Sequence, residues 1–293
     1  MTAIVHTGDA IVVLRTLPSD SAHCCVTDPP YGERAASWDS PKTQEWHEEW
    51  LREAARVVVD NGPFLVFGSR RYLDFLMAAM RKVLGDSPAR PLQTGVWVHR
   101  QGHPVAEGML RPEHEPFVVS GKLRTTAIDV RRLRSYQSPH NLERKPTCRR
   151  SGSRGFKSFT YVPDENGPMA GTVIEAARNK PAEATGHPTQ KAEAVMVPAV
   201  LLAAAPGEFV LDPFAGSGTT GVVAVRHGRG FVGIERNEGY ADVARARITA
   251  EAPLFVRALP APRAAQASAE VLPTNADSGR TLPTTKNSQE TGT

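Results

Sequence analysis

"VLDPFAGSGTTG", residues 210–221, decides how the rest of the chain folds. A short apolar run ends on Asp212, glycines follow at 216, 218 and 221, and the helix-forming stretch "TTGVVAVRHG" begins at Thr219. Glycine permits a tight turn and lets a ligand approach the backbone, so strand, glycine turn and helix in that order open a dinucleotide-type binding unit. The three glycines spell G-x-G-x-x-G. Glu235 ends the next strand-like run, "FVGIE", nineteen residues past Gly216, where a carboxylate can accept from both hydroxyls of a ribose.

A nicotinamide dinucleotide fits that pattern, and a dehydrogenase is one reading of it. Asp212 points elsewhere. An acid just ahead of the turn repels a pyrophosphate but suits the ammonium or sulfonium side of S-adenosylmethionine. No lysine follows the glycines, which excludes a phosphate-gripping P-loop.

Outward from this unit, strand-like and helix-like stretches alternate. "AIVH" (3–6), "HCCVTD" (23–28), "PFLVFG" (63–68), "TGVWVH" (94–99), "PFVVSG" (116–121) and "EFVLD" (208–212) read as strands. "AIVVLRTL", "TQEWHEEWLREAARVVVD", "RYLDFLMAAMRKVL", "AEAVMVPAVLLAAA" and "YADVARARITA" read as helices, the fourth stopped by Pro206-Gly207. Such alternation predicts an α/β fold, a mostly parallel sheet with helices on both faces. With 293 residues and 40% hydrophobic composition the chain can bury a large core. No apolar stretch approaches the ~20 residues needed to span a bilayer, and the N-terminus lacks a basic segment followed by an apolar one, so a cytoplasmic location is expected. After about residue 257 bulky apolar residues nearly vanish, which predicts one folded domain over 1–257 and a disordered tail over 258–293.

Charge is unevenly placed. Between Lys122 and Lys157 there are eleven Lys or Arg against Asp129 and Glu143, a local +9, so the remainder of a chain of net charge +4 carries −5. That polarity favours a polyanion, because each neutralised phosphate releases a condensed counterion. Arg131, Arg132, Arg134, Arg144, Lys145, Arg149, Arg150 and Arg154 are the candidate DNA contacts, with Tyr136, Phe156 and Phe159 interleaved. Cys24 and Cys25 sit inside a strand and Cys148 stands alone, so no disulfide framework and no metal site is expected.

Two further stretches carry chemistry. In "HCCVTDPPYG" a buried strand stops at Asp28, followed by the stiff pair Pro29-Pro30 and by Tyr31. In "GHPTQK" (186–191), Thr189 is placed to cap the following helix, and Lys191 lies near that helix's positive end, the wrong end for helix stability but suited to holding a ligand carboxylate.

Together these stretches resemble the DNA amino-methyltransferases that modify adenine N6 or cytosine N4, in the permuted arrangement called the beta class. "TDPPYG" is similar to their catalytic motif, "DPFAGSGTTG" to their cofactor loop, "FVGIERN" to their ribose-binding segment, "HPTQK" to the motif at the methionine end, and "HTGDA" to the segment whose acid, Asp9 here, approaches the cofactor adenine. The resemblance implies a Rossmann-like S-adenosylmethionine-dependent fold, with residues 122–180 as an inserted target-recognition segment. It implies catalysis by Asp28, Pro29, Pro30 and Tyr31. Cofactor contacts fall to Asp9, His187, Thr189, Gln190, Lys191, Asp212, Pro213, Phe214, Gly216, Gly218, Thr219, Thr220, Glu235 and Asn237.

An adenine amine is a poor nucleophile because its lone pair is delocalised into the ring. The Asp28 carboxylate and the Pro29 carbonyl can accept its two N–H groups, and Tyr31 can stack on a base swung out of the duplex. Asp28 favours adenine N6, with cytosine N4 the alternative. Methylation at cytosine carbon-5 needs a thiolate, usually in a Pro-Cys pair, and the chain has none. A non-catalytic DNA-binding protein is the remaining reading. The expected partner is double-stranded DNA and no membrane; the resemblance also allows a homodimer and a cognate restriction endonuclease. The permuted order further predicts that β-strand 231–235 is followed in space by "AIVH" and then by "HCCVTD".

Overall fold

The computed structural model describes residues 2–33, 39, 43–99, 107–108, 110–123, 172–177 and 183–251. Most of the basic segment, including all eight candidate DNA contacts and Cys148, and the whole of 258–293 lie outside the described residues.

Strand β1 (Ala3–Thr7) leads through helix α1 (Ala10–Thr16) to β2 (Cys24–Thr27), then α2 (Gln44–Val57), β3 (Phe64–Phe67), α3 (Leu73–Leu84), β4 (Leu92–Val98) and β5 (His114–Ser120). After the basic segment come β6 (Val173–Glu175), α4 (Glu193–Ala203), β7 (Phe209–Asp212), α5 (Thr219–Arg226), β8 (Gly230–Glu235) and α6 (Glu238–Glu251). The strands form one sheet in the order β1-β8-β7-β2-β3-β5-β4-β6. Every adjacent pair is parallel except those that β5 makes with β3 and β4.

Period-two alternation sorts the strand side chains onto two faces. Cys24, Val26, Leu65, Phe67, Val210 and Phe231 face α4, α5 and α6, while Cys25, Phe64, Val66, Leu211 and Ile234 face α1, α2 and α3. Helix α4 is apolar all round and buried from Val195 to Ala203, as a helix between sheet and neighbouring helices must be. Helix α2 shows the commoner amphipathic pattern, burying Trp50, Leu51, Ala54 and Val57, and its start is set by Thr43, whose hydroxyl accepts from the Trp46 N–H. Among the described residues no helix is long and apolar enough to cross a membrane.

The strand order corrects one expectation. β1 does follow β8, but β2 does not lie beyond β1; it pairs with β7, Cys24 opposite Val210 and Cys25 opposite Leu211. Burial explains the choice. All four residues of β2 are buried and need a covered neighbour on both sides, whereas β1, with Ile4 41% exposed, suits an edge. From β7 the chain moves to β8 in one direction, and from β2 to β3 in the other, so the topological switch falls between β7 and β2, where such sheets bind ligands. A second difference concerns residues 173–175. The sequence reading places them in the recognition insertion, yet they join the sheet beside β4 as β6, a placement their β-branched Val-Ile pair supports.

Candidate active site

The carboxyl ends of β1, β8, β7, β2 and β3 share one rim, and above it lies a cavity of about 910 Å³. Asp9, Asp28, Pro29, Pro30, Tyr31, His187, Thr189, Gln190, Lys191, Asp212, Pro213, Phe214, Gly216, Thr219, Thr220, Glu235 and Asn237 all line it; Gly218 does not. Residues separated by more than 200 positions are thus brought to one chamber by the order of the strands.

The loop after β7 is built around Asp212. Its side chain is buried, and its oxygens accept from the Thr27 hydroxyl at 2.6 Å, the Phe214 N–H at 3.1 Å and the Thr220 hydroxyl at 2.6 Å. The bond from Thr27 ties β7 to β2 at the switch point. Burial pushes the Asp212 carboxyl up to about 6, against those three hydrogen bonds, which favour the anion. Gly216 and Gly218 hold φ of +53° and +80°, a region that favours glycine. A Cβ on Gly218 would sit 2.7 Å from the Ala244 Cβ, and one on Gly221 2.4 Å from the Ile248 Cδ1. The last two glycines therefore serve the packing of α5 on α6, and Gly216 serves the loop facing the cavity. Thr219 accepts from Arg247, and Phe214 packs against Trp46 and Trp50 with ring centroids 5.5 and 5.3 Å away.

Glu235 closes the same loop from the end of β8, accepting from the Gly216 N–H at 2.9 Å and the Asn237 N–H at 2.7 Å. Burial raises its pKa, and those bonds oppose the rise. The Asn237 side chain accepts from the Tyr240 N–H at the start of α6. Asp9 is the N-cap of α1, one oxygen accepting from the Ile11 and Val12 N–H groups.

The TDPPYG loop leaves β2 beside Asp212. Tyr31 donates its hydroxyl to Asp28 Oδ1 at 2.5 Å, and Asp39 accepts from the Gly32 and Glu33 N–H groups at 2.6 and 3.0 Å, pinning the loop from behind. Glu33 accepts in turn from the Ser69 hydroxyl at the end of β3. Burial raises the pKa of Asp28, with the Lys191 ammonium the chief opposing influence. Burial also raises Tyr31, so its hydroxyl keeps its proton.

The HPTQK segment departs from expectation at two residues. Thr189 does not cap a helix: α4 begins at Glu193 after Ala192, which makes no side-chain cap, and residues 188–189 form a turn in which the Thr189 N–H reaches His187 Nδ1. Lys191, expected to hold a ligand carboxylate, instead has its ammonium against the TDPPYG loop, 3.1 Å from Asp28 Oδ2, 2.7 Å from Glu115 Oε2 and 2.9 Å from the Tyr31 hydroxyl. Gln190 braces its own loop, accepting from Thr185 and donating to the Glu183 carbonyl. His187 packs edge-on against Tyr240, centroids 4.5 Å apart, and 3.3 Å from where a Cβ on Gly216 would stand. Burial lowers its pKa to about 4, so the ring is neutral at physiological pH.

Sequence reasoning missed Glu115, Asp39, Ser69 and Trp97, which complete the site from β5, the α2 approach, β3 and β4. None lies in a chemistry-bearing motif. For Glu115, Ser69 and Trp97 the only signal is position near a strand end, which acquires meaning once the strand order is known; Asp39 lies in the chain ahead of α2.

Residues 22–246 match the family model described as DNA methylase, the N6/N4 class. The chain is 28% identical over 245 residues to DNA adenine methyltransferase YhdJ of Escherichia coli (strain K12), covering 81% of this chain and 79% of that one. It is also 28% identical over 255 residues to type II methyltransferase M.HpaI of Haemophilus parainfluenzae, covering 83% and 73%. Among solved structures, PvuII DNA methyltransferase (cytosine-N4-specific) aligns with a TM-score of 0.58 at 16% identity, covering 84% of this chain and 86% of that one. A DNA modification methylase of Thermus thermophilus, TTHA0409, complexed with S-adenosyl-L-methionine, aligns with a TM-score of 0.54 at 21% identity, covering 87% and 98%. Identities this low speak to the fold alone, which is that of the S-adenosylmethionine-dependent DNA methyltransferases. The family match supplies the rest: with a proline-stiffened acceptor loop and a glycine loop meeting at the switch point, this chain belongs to the DNA methylases, the amino-methyltransferases of the N6/N4 class.

Proposed function

We propose that the chain methylates the N6 amine of adenine in duplex DNA, with S-adenosylmethionine as donor. The observation that carries this reading is the contact between the two loops: Thr27, next to Asp28, donates to Asp212 at 2.6 Å, so acceptor loop and glycine loop open onto one cavity.

The chamber fits the donor. Asp9, Asp212 and Glu235 make one lobe of its lining acidic, which suits a cation-bearing ligand and opposes a pyrophosphate, and His187 packs close enough to Gly216 that a Cβ there would stand 3.3 Å from its Nε2. Asp9, His187, Thr189, Asp212, Pro213, Phe214, Gly216, Thr219, Thr220, Glu235 and Asn237 would hold it, with Gln190 and Gly218 shaping the loops that carry them. When bound, S-adenosylmethionine supplies a methyl group on a sulfonium for direct transfer to the amine.

The protein's own part is to make the amine nucleophilic. Asp28 offers an anionic acceptor to one N–H and the Pro29 carbonyl offers a second, so the nitrogen lone pair is drawn out of conjugation with the ring. Prolines hold these acceptors in place before the substrate arrives, which is where electrostatic assistance is largest. Tyr31 offers its ring face to the extruded base, offsetting part of an unstacking cost of a few kcal/mol. The amine loses a proton once alkylated, and the Asp28 carboxylate is the nearest base on the loop. Arg131, Arg132, Arg134, Arg144, Lys145, Arg149, Arg150 and Arg154 would neutralise DNA phosphates.

Asp28 supports adenine, as does the named activity of the Escherichia coli relative. The cytosine-N4 alternative is favoured by the fold match to PvuII DNA methyltransferase. Modified-base sequencing of DNA from cells expressing the chain tests both: N6-methyladenine at a fixed motif is expected, N4-methylcytosine would replace adenine as the target, and unmodified DNA would overturn the proposal. In the purified protein, Asp28→Ala should abolish methyl transfer while leaving cofactor affinity within about twofold; a loss of cofactor binding would remove Asp28 from the assigned role.

A further inference from the structure

Lys191 is the most enclosed cation at the site, its side chain 9% exposed. An ammonium carries three N–H donors. Here it donates to Glu115 Oε2 at 2.7 Å and to the Tyr31 hydroxyl at 2.9 Å, and it forms an ion pair with Asp28 Oδ2 at 3.1 Å. The rings of Tyr31, Phe67 and Trp97 surround it with centroids 5.2, 5.2 and 5.4 Å away, adding cation–π attraction.

Glu115 explains why the lysine points this way. It lies on β5, the antiparallel strand beside β3, and it faces the cavity from the side opposite the glycine loop. The ammonium is therefore suspended between a carboxylate on a rigid strand and the carboxylate and hydroxyl of the catalytic loop.

We infer that Lys191 and Glu115 are a positioning pair for the acceptor loop: Lys191 holds the Asp28 carboxylate ionised and aimed at the target amine and fixes the Tyr31 hydroxyl, while Glu115 holds Lys191. The inference rests on the amino-methyltransferase reading and deepens it. Asp28 accepts an N–H bond most strongly as an anion, and burial works against the charged form. The titratable or charged groups that face it are Tyr31 from its own loop, Lys191 from the segment ahead of α4, Glu115 from β5 and Asp212 from β7; Glu33 acts on Tyr31. Lys191 alone among these is a cation. Against the desolvation that burial imposes on it, Asp28 and Glu115 keep the pKa of Lys191 raised, so the lysine stays an ammonium through neutral pH.

The two partners thus push Asp28 in opposite directions, a signature that a purely structural role would not produce. In Lys191→Met, the titration of Asp28, followed by carboxyl-carbon NMR in protein free of DNA and cofactor, should move up by about 1–3 pH units, and the acid limb of kcat/KM for methyl transfer should move with it. In Glu115→Gln both should move down. Lys191→Arg should restore the wild-type limb at least in part, and S-adenosylmethionine affinity should stay within about twofold in all three variants. An Asp28 titration unmoved by Lys191→Met, or one that rises in Glu115→Gln, overturns the inference. So does a tenfold loss of cofactor affinity with Asp28 unmoved, which would return Lys191 to the role of ligand clamp. Should Lys191→Met fail to fold by circular dichroism, Glu115→Gln and Lys191→Arg carry the same test. If Asp28 answers both substitutions as expected but the wild-type chain transfers no methyl group, the proposed activity is refuted and not the pair.

Discussion

Replacing Asp212 by asparagine should separate stability from cofactor binding, and pH is the variable that reveals it. The carboxyl is 2% exposed, and burial lifts it from an ordinary 3.8 to about 6. Between those values the folded chain binds more protons than the unfolded one, so stability falls as pH rises through the window and levels off above it. A rise of roughly two pH units at about 1.4 kcal/mol each corresponds to about 3 kcal/mol that the ionised group withholds from the folded state at neutral pH. Asparagine keeps an acceptor for Thr27 and for the Phe214 N–H, and the Thr220 hydroxyl can rotate to accept from the new amide. The stability of Asp212→Asn relative to wild type should therefore improve by about 3 kcal/mol between pH 4 and pH 7.5, or about 6–12 °C in Tm for a domain of this size. Urea unfolding of both proteins in the same buffers isolates the difference, since every other titrating group cancels. The same substitution should weaken S-adenosylmethionine binding tenfold or more by calorimetry, and wild-type affinity should decline as pH drops below about 6. A stability difference that stays flat with pH would refute the argument that burial strains this carboxylate.

Other consequences are open to direct measurement. Gly221→Ala places a Cβ 2.4 Å from Ile248 and 2.6 Å from Phe231, so it should cost about 1–3 kcal/mol in urea unfolding. Glu235→Ala removes the acceptor for the Gly216 and Asn237 N–H groups and should raise the cofactor Kd at least tenfold by calorimetry while Asp28 titrates as in wild type. Neutralising Arg131, Arg132 and Arg134 together should reduce the slope of log K against log salt for DNA binding by up to about 2.7; an unchanged slope would move the DNA surface elsewhere.

Much of the fold was legible because its signals are local. The strand and helix expectations for 3–84 match β1 through α3 to within a few residues, since four-residue apolar runs such as "FLVF" and helical spacing such as Trp50, Leu51, Ala54 and Val57 leave little choice of period. The glycine turn was legible for the same reason, as a strand, a turn and a helix within twelve residues. Thr189 misled because a threonine ahead of a helix is a good cap only at the right offset, and turn and extended chain intervene before Glu193. Lys191 misled because its partner Glu115 is 76 residues away on a strand whose neighbours no local pattern specifies.

By itself, then, the sequence determined the elements, the acidic and glycine-bearing loops that follow their strands, and the Asp28-Pro29-Pro30-Tyr31 loop that ends β2. These follow from dihedral preferences and from hydrophobic periodicity over a few residues. Tertiary structure alone decided that β2 inserts beside β7 rather than beyond β1, and that Lys191, in the expected cofactor motif, contacts Asp28, Tyr31 and Glu115. Both outcomes turn on burial: a strand apolar on both faces must be flanked on both sides, and a desolvated ammonium must take whichever carboxylates the sheet order brings within reach.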